Sequence, residues 1–223
     1  MHRLYHLPLS PFCRKVRLVL GEKRLQAELI EERPWESRLD FLRLNPAGRV
    51  PVLVTDQGQA LSGSTPIFEY LEEAHPEPPL LPAQPLARAE ARRLVDWFDD
   101  KFNREVTENL VFERVTKRLA RLGSPDGACL KAGSQNIRVH LDYMTYLLEG
   151  HNWLAGPRLT VADLTAAAHL STLDYVGDVP WEAYPSVRDW YAVVKSRPSF
   201  RSLLADHLPG FPTPPPHYAE LDF

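Results

Sequence analysis

A chain of 223 residues with 44% hydrophobic content and a net charge of -3 holds enough apolar material for one large or two small globular domains, at ~100 to 200 residues each. Its charges are interspersed, which argues against a nucleic-acid partner, and no window approaches either a signal peptide or the ~20 charge-free apolar residues of a membrane span. Two cysteines, Cys13 and Cys129, more than half the chain apart, supply neither a disulfide framework nor a metal site, so a reducing, cytoplasmic setting is expected.

Short β-rich runs alternate with helical patterns at the start. Residues 3–7 read as a strand, 11–23 as a helix, 28–31 as a strand and 36–44 as a helix. Two further strands, 52–54 and 60–61, flank the polar turn Thr55-Asp56-Gln57-Gly58, and a helix over 64–74 follows. The order β-α-β-α-β-β-α is that of a thioredoxin-like domain over residues 1–75. Proline then becomes dense: there are 21 in the chain, nearly twice the average share of ~5%, and Pro76, Pro78, Pro79, Pro82 and Pro85 form one cluster. A ring that lacks an N-H cannot continue a helix, so residues 76–85 are expected to be an extended linker.

Beyond the linker the strands stop and helical periodicity takes over, which predicts an all-helical domain over 86–208. Leu94, Trp97, Phe98 and Phe102 mark a helical region over 88–119, and Ile137, Leu141, Met144 and Leu148 recur at four-three-four spacing over 134–149. Thr160-Val161-Ala162-Asp163 puts a hydroxyl at a helix N-cap and a carboxylate three residues on, flanked by Leu159 and Leu164 as a hydrophobic staple. Asp163 resembles a catalytic acid, but the capping box gives a complete structural reason for Thr160 and Asp163. A second proline cluster, from Pro209 to Pro216, opens a tail over 209–223 that ends His217-Tyr218-Ala219-Glu220-Leu221-Asp222-Phe223.

Four motifs in order resemble the cytosolic glutathione S-transferases: Ser10-Pro11-Phe12-Cys13, Asn45-Pro46-Ala47-Gly48-Arg49-Val50-Pro51-Val52-Leu53, Ser64-Thr65-Pro66-Ile67 and Thr160-Val161-Ala162-Asp163. The resemblance implies the transferase fold, a thioredoxin-like domain followed by a helical bundle, in a homodimer. It implies a cis Val50-Pro51 bond and a candidate glutathione site made of Ser10, Val50, Pro51 and Ser64. Ser10, just before the proline of the first helical turn, serves either as an N-cap or as a donor to a bound thiolate. Cys13 is the candidate reactive thiol: the helix end, Arg14 and Lys15 could lower its pKa, yet it has no partner thiol and is expected to pack as a small apolar residue.

Two features depart from the family. Gly63 stands where transferases place an acidic residue or glutamine that grips the α-amino end of glutathione. The tail continues past the usual end, carrying apolar Tyr218, Leu221 and Phe223 on a stiff proline run. It either folds back over its own bundle or is displayed as a recognition peptide. These departures, with the Pro34-Trp35-Glu36 corner, resemble a branch of the family that acts in bacterial cell division by binding the tubulin-like FtsZ. The partner-binding residues that this implies are Trp35, Tyr218, Leu221, Asp222 and Phe223. The leading expectation is a non-catalytic or feebly catalytic adaptor without cofactor or metal. The alternative is an enzyme that conjugates glutathione to electrophiles.

Overall fold

The computed structural model describes residues 1–220. They form two compact units: Met1–Pro79 with Pro198–Phe211, and Leu80–Arg197 with the segment from Pro212 onward.

The first unit is a four-stranded sheet with helices. Strands β1 (His2–His6), β2 (Ala27–Glu31), β3 (Val52–Val54) and β4 (Ala60–Ser62) lie in the order β2-β1-β3-β4, β2 parallel and β3 antiparallel to β1. Helices α1 (Pro11–Glu22), α2 (Leu39–Leu44) and α3 (Ser64–Ala74) complete the thioredoxin-like order. The helix expected over 36–44 is broken. Pro34–Glu36 make a 3-10 turn, Ser37 sits at φ 49 in the left-handed region, and α2 starts only at Leu39.

Helix α1 is buried on nearly every side, because the chain returns to cover it. A 3-10 turn (Pro198–Phe200) crosses Gly21, where a Cβ would come within 2.8 Å of the Ser199 Cα, so only glycine allows the approach. Asp206 then accepts from both Arg14 (3.0 Å) and Arg17 (2.9 Å), two buried guanidiniums that need such a partner. Residues 198–208, expected in the helical domain, and residues 209–211, expected in the tail, therefore belong to the first unit.

In the second unit, α4 (Pro85–Asp96) runs into π-helical turns (Trp97–Thr116) and closes with α5 (Lys117–Leu119). Helices α6 (Gly127–Leu148), α7 (Val161–Val176) and α8 (Pro185–Lys195) follow. Two short helices lie outside this run: α9 (Arg201–Leu204) in the first unit and α10 (Pro216–Ala219) in the tail. Every residue of α7 from Val161 to Tyr175 is buried, which makes it the axis of the bundle. Its capping box is present as the sequence predicts. Asp163 accepts from the Thr160 amide (2.9 Å), the Leu154 amide (2.9 Å) and the Trp190 indole (3.1 Å), while burial pushes its pKa up.

Two measurements test these packing arguments. Asp163→Ala orphans four buried donors, the Thr160 hydroxyl (3.3 Å) among them, and is expected to cost roughly 3 to 5 kcal/mol in denaturant titration, against about 1 for Thr160→Ala. In the first unit, burial and nearby Arg17 lower the His6 pKa from 6.5 to about 4. The neutral imidazole is favoured when folded, so its contribution is complete above pH ~6.5 and is lost as pH falls through ~4. Stability should fall over that window by on the order of 3 kcal/mol, and His6→Leu should flatten the dependence.

Candidate functional site

The sheet register brings three segments of the candidate site to one end of the first unit. Tyr5 pairs with Val52, so the chain entering β3 through Val50 and Pro51 runs beside the residues that leave β1. Val52 also pairs with Ser62, and the Gly63 amide donates to the Pro51 carbonyl at 3.0 Å, which places Ser64 next to that corner. Ser10 closes the loop after β1, its amide donating to the Leu7 carbonyl at 3.0 Å.

The loop that presents Val50 is fixed by a residue whose role is not evident from the sequence alone. The Asn45 side-chain amide donates to the Arg49 carbonyl (2.7 Å), while its oxygen accepts from the Ala47 amide (3.1 Å). Gly48 at φ 62 permits the tight path, and the Val50-Pro51 bond is cis, as expected. Asparagine recurs at turns for this reason, so its place at the head of the Asn45–Pro51 run was the available signal.

Ser10 is the N-cap of α1, its hydroxyl accepting from the Cys13 amide at 3.4 Å. Capping uses a lone pair, and a hydroxyl keeps one proton to donate. Cys13 is fully buried, its sulfur accepting from the Leu7 amide at 3.5 Å. Burial pushes its pKa up to about 11, outweighing the hydrogen bond from Ser10 and the charge of Arg17. The lowered pKa that Arg14 and Lys15 could have given the thiol is thus not present. Arg14 is turned to Asp206, and Lys15 donates to the Thr65 hydroxyl at 3.5 Å.

Ser64 is the first residue of α3 and is buried. Before it, Gly63 sits at φ 91 and ψ 142 and makes no side-chain cap. A Cβ there would meet only Pro66, at 3.4 Å, but its backbone lies where L residues are rarely found. Gly63 is thus the relaxed solution to this turn, and no side chain projects from it. An acidic residue would carry strain of about 1 to 3 kcal/mol. The corner offers main-chain groups and two hydroxyls, with no ionised thiol at neutral pH.

The residues expected to meet a partner are distributed differently. Trp35 lies half-buried in its 3-10 turn, between Arg33, which pairs with Glu31 and Glu36, and Arg38, which pairs with buried Glu32 at 2.8 Å. Leu221, Asp222 and Phe223 lie outside the described residues. Of the two alternatives for the tail, Tyr218 follows the folded-back one rather than display: its side chain is completely buried, edge-on to Tyr175 at 5.2 Å. Pro216 starts one helical turn that swings the ring into the bundle. Among the described residues no cluster of metal-ligating side chains occurs, and no helix is long and apolar enough to cross a membrane.

Residues 4–79 match the N-terminal domain of glutathione S-transferases and residues 109–192 the C-terminal domain. The chain is 49% identical to FtsZ-localized protein A of Caulobacter vibrioides, over 99% of this chain and 97% of that one. Glutathione S-transferase 3 of Zea mays is 30% identical, with 96% of each chain covered. Among solved structures, a glutathione S-transferase from Rhodospirillum rubrum F11 superposes with a TM-score of 0.97 at 53% identity, covering 100% of both chains. FzlA from C. crescentus superposes at 0.96 and 48% identity, covering 100% of this chain and 99% of that one. With both domains matched in order and relatives aligned almost end to end, the chain belongs to the glutathione S-transferase family.

Proposed function

We propose that this chain is an adaptor of the transferase fold that binds FtsZ in bacterial cell division, working in the cytoplasm at the division site as a homodimer. The observation that carries the reading is the 49% identity, over nearly the whole of both chains, with a relative named for its localization with FtsZ. The site chemistry supports a weak or absent transferase activity. Gly63 removes one charge-assisted hydrogen bond to glutathione, a loss of roughly 1.5 to 3 kcal/mol or ten-fold or more in affinity. The contact surface proposed for FtsZ is the Trp35 corner together with Leu221, Asp222 and Phe223. Each apolar side chain there contributes about 1.5 to 3 kcal/mol if fully buried by the partner, and Asp222 selects a basic rim.

A second reading is conjugation of glutathione to electrophiles, with Ser10 as donor to the thiolate and Val50 and Ser64 holding the peptide. It is favoured by the 53% identity to a solved structure described as a glutathione S-transferase. Glutathione would be its only cofactor.

Co-sedimentation with polymerised FtsZ decides between them. The intact protein is expected to pellet, and removal of residues 221–223 to weaken pelleting about ten-fold or more with little change in melting temperature. Full pelleting by the truncated protein removes the tail from the contact. An intact protein that stays in the supernatant but is retained on immobilised glutathione returns the function to the enzyme. In a Cys129→Ser background, Cys13 should alkylate slowly at pH 8, where about one thiol in a thousand is ionised. Fast labelling there would restore thiol chemistry to the site.

A further inference from the structure

The end of α7 and the inner face of α8 hold an acid and a base, both with no exposed surface. Asp174 accepts from the Trp181 indole at 2.8 Å and the Tyr191 hydroxyl at 3.3 Å. Lys195 lies with its ammonium 5.9 Å over the Tyr191 ring. Burial of an acid and a base is costly unless hydrogen bonds compensate it, and here further partners come from the tail. His217 Nε2 lies 2.9 Å from Asp174 Oδ1, the oxygen that also accepts from Trp181, and the Lys195 ammonium donates to the His217 carbonyl. One residue of the tail thus answers both buried groups.

Two more contacts are shaped to the same segment. Gly177 ends α7 at φ 76, and a Cβ there would meet Pro215 at 3.3 Å, so the glycine serves both the helix cap and the approach of the proline run. Tyr218 then fills the space against Tyr175 with no exposed surface. The Tyr218 amide closes the turn on the Pro215 carbonyl at 2.9 Å. A proline run, a single helical turn and two side chains therefore enter a matched socket of backbone, aromatic and charged groups.

We propose that Asp174, Lys195, Gly177 and Tyr175 form a socket for the chain's own C-terminal segment, and that by seating Pro215, His217 and Tyr218 it fixes the point from which the terminal residues meet FtsZ. The second half rests on the function proposed above. A segment ordered in advance loses less freedom on binding, so the socket is a positioning device that strengthens the partner contact without touching the partner.

The full-length variants Tyr218→Ala and His217→Ala test this, with His217→Gln as the conservative control because its amide can still donate to Asp174. Limited proteolysis read by mass spectrometry should show cleavage within residues 207–220 rising about ten-fold in both alanine variants, with cleavage within the long helices α4, α6, α7 and α8 staying near wild type. FtsZ affinity should fall about five-fold or more in the same two, and stay near wild type in His217→Gln. Unchanged cleavage in both alanine variants overturns the socket. Faster cleavage with undiminished FtsZ affinity overturns its role in positioning. If the wild-type protein does not pellet with FtsZ at all, the adaptor reading and the positioning role fall together, while the cleavage rates still decide the socket.

Discussion

The helical unit depends on one carboxylate buried without a cation. Asp163 sits at the head of α7, the helix against which α4, the π-helical turns and α8 pack, and its oxygens are met by neutral donors from three places: the turn before the helix, the Leu154 amide and the Trp190 indole on α8. Burial disfavours its charge, and the fold offsets this by collecting donors that would otherwise be orphaned themselves. A helix start, a loop and a neighbouring helix are thus fixed to one point, and the alanines of α7 let the surrounding helices close on it.

The parts of the fold that were legible in the sequence are those with a local cause. The capping box and the strands rest on residues close in sequence and lie where their patterns put them; the long helices are there too, but the region expected over 88–119 winds as π-helical turns across Trp97–Thr116, and the helix expected over 134–149 already starts at Gly127. The break between Glu36 and Leu39 was not legible, because Ser37 adopts a left-handed conformation without the glycine that would announce it. Nor was the return of residues 198–211 onto α1. Its causes are Gly21 and the pairing of Arg14 and Arg17 with Asp206, contacts nearly two hundred residues apart that no local window contains.

The candidate site divides in the same way. Ser10, Val50, Pro51 and Ser64 are found at the corner the motifs imply because the β1-β3-β4 register brings them there. The electrostatics of Cys13 run opposite to a reading from charged neighbours in sequence. Adjacent residues on a helix point in different directions, so Arg14 and Lys15 serve other partners while the thiol faces the core. Tyr218 carries a similar lesson, since a composition suited to display equally suits a socket when buried polar groups wait for it.

The path of residues 198–211 bears on how the protein is made. A ribosome releases the sheet, α1 and α3 long before Ser199 and Asp206 exist, so the nascent first unit carries two guanidiniums in its core with no carboxylate to receive them. The bundle, by contrast, has its axis and cap in place once residue 195 has emerged. Each unit is nonetheless sealed late, the first by residues 198–211 and the second by the segment from Pro212 onward, and a fragment cut at Pro79 would lack the clasp that closes α1.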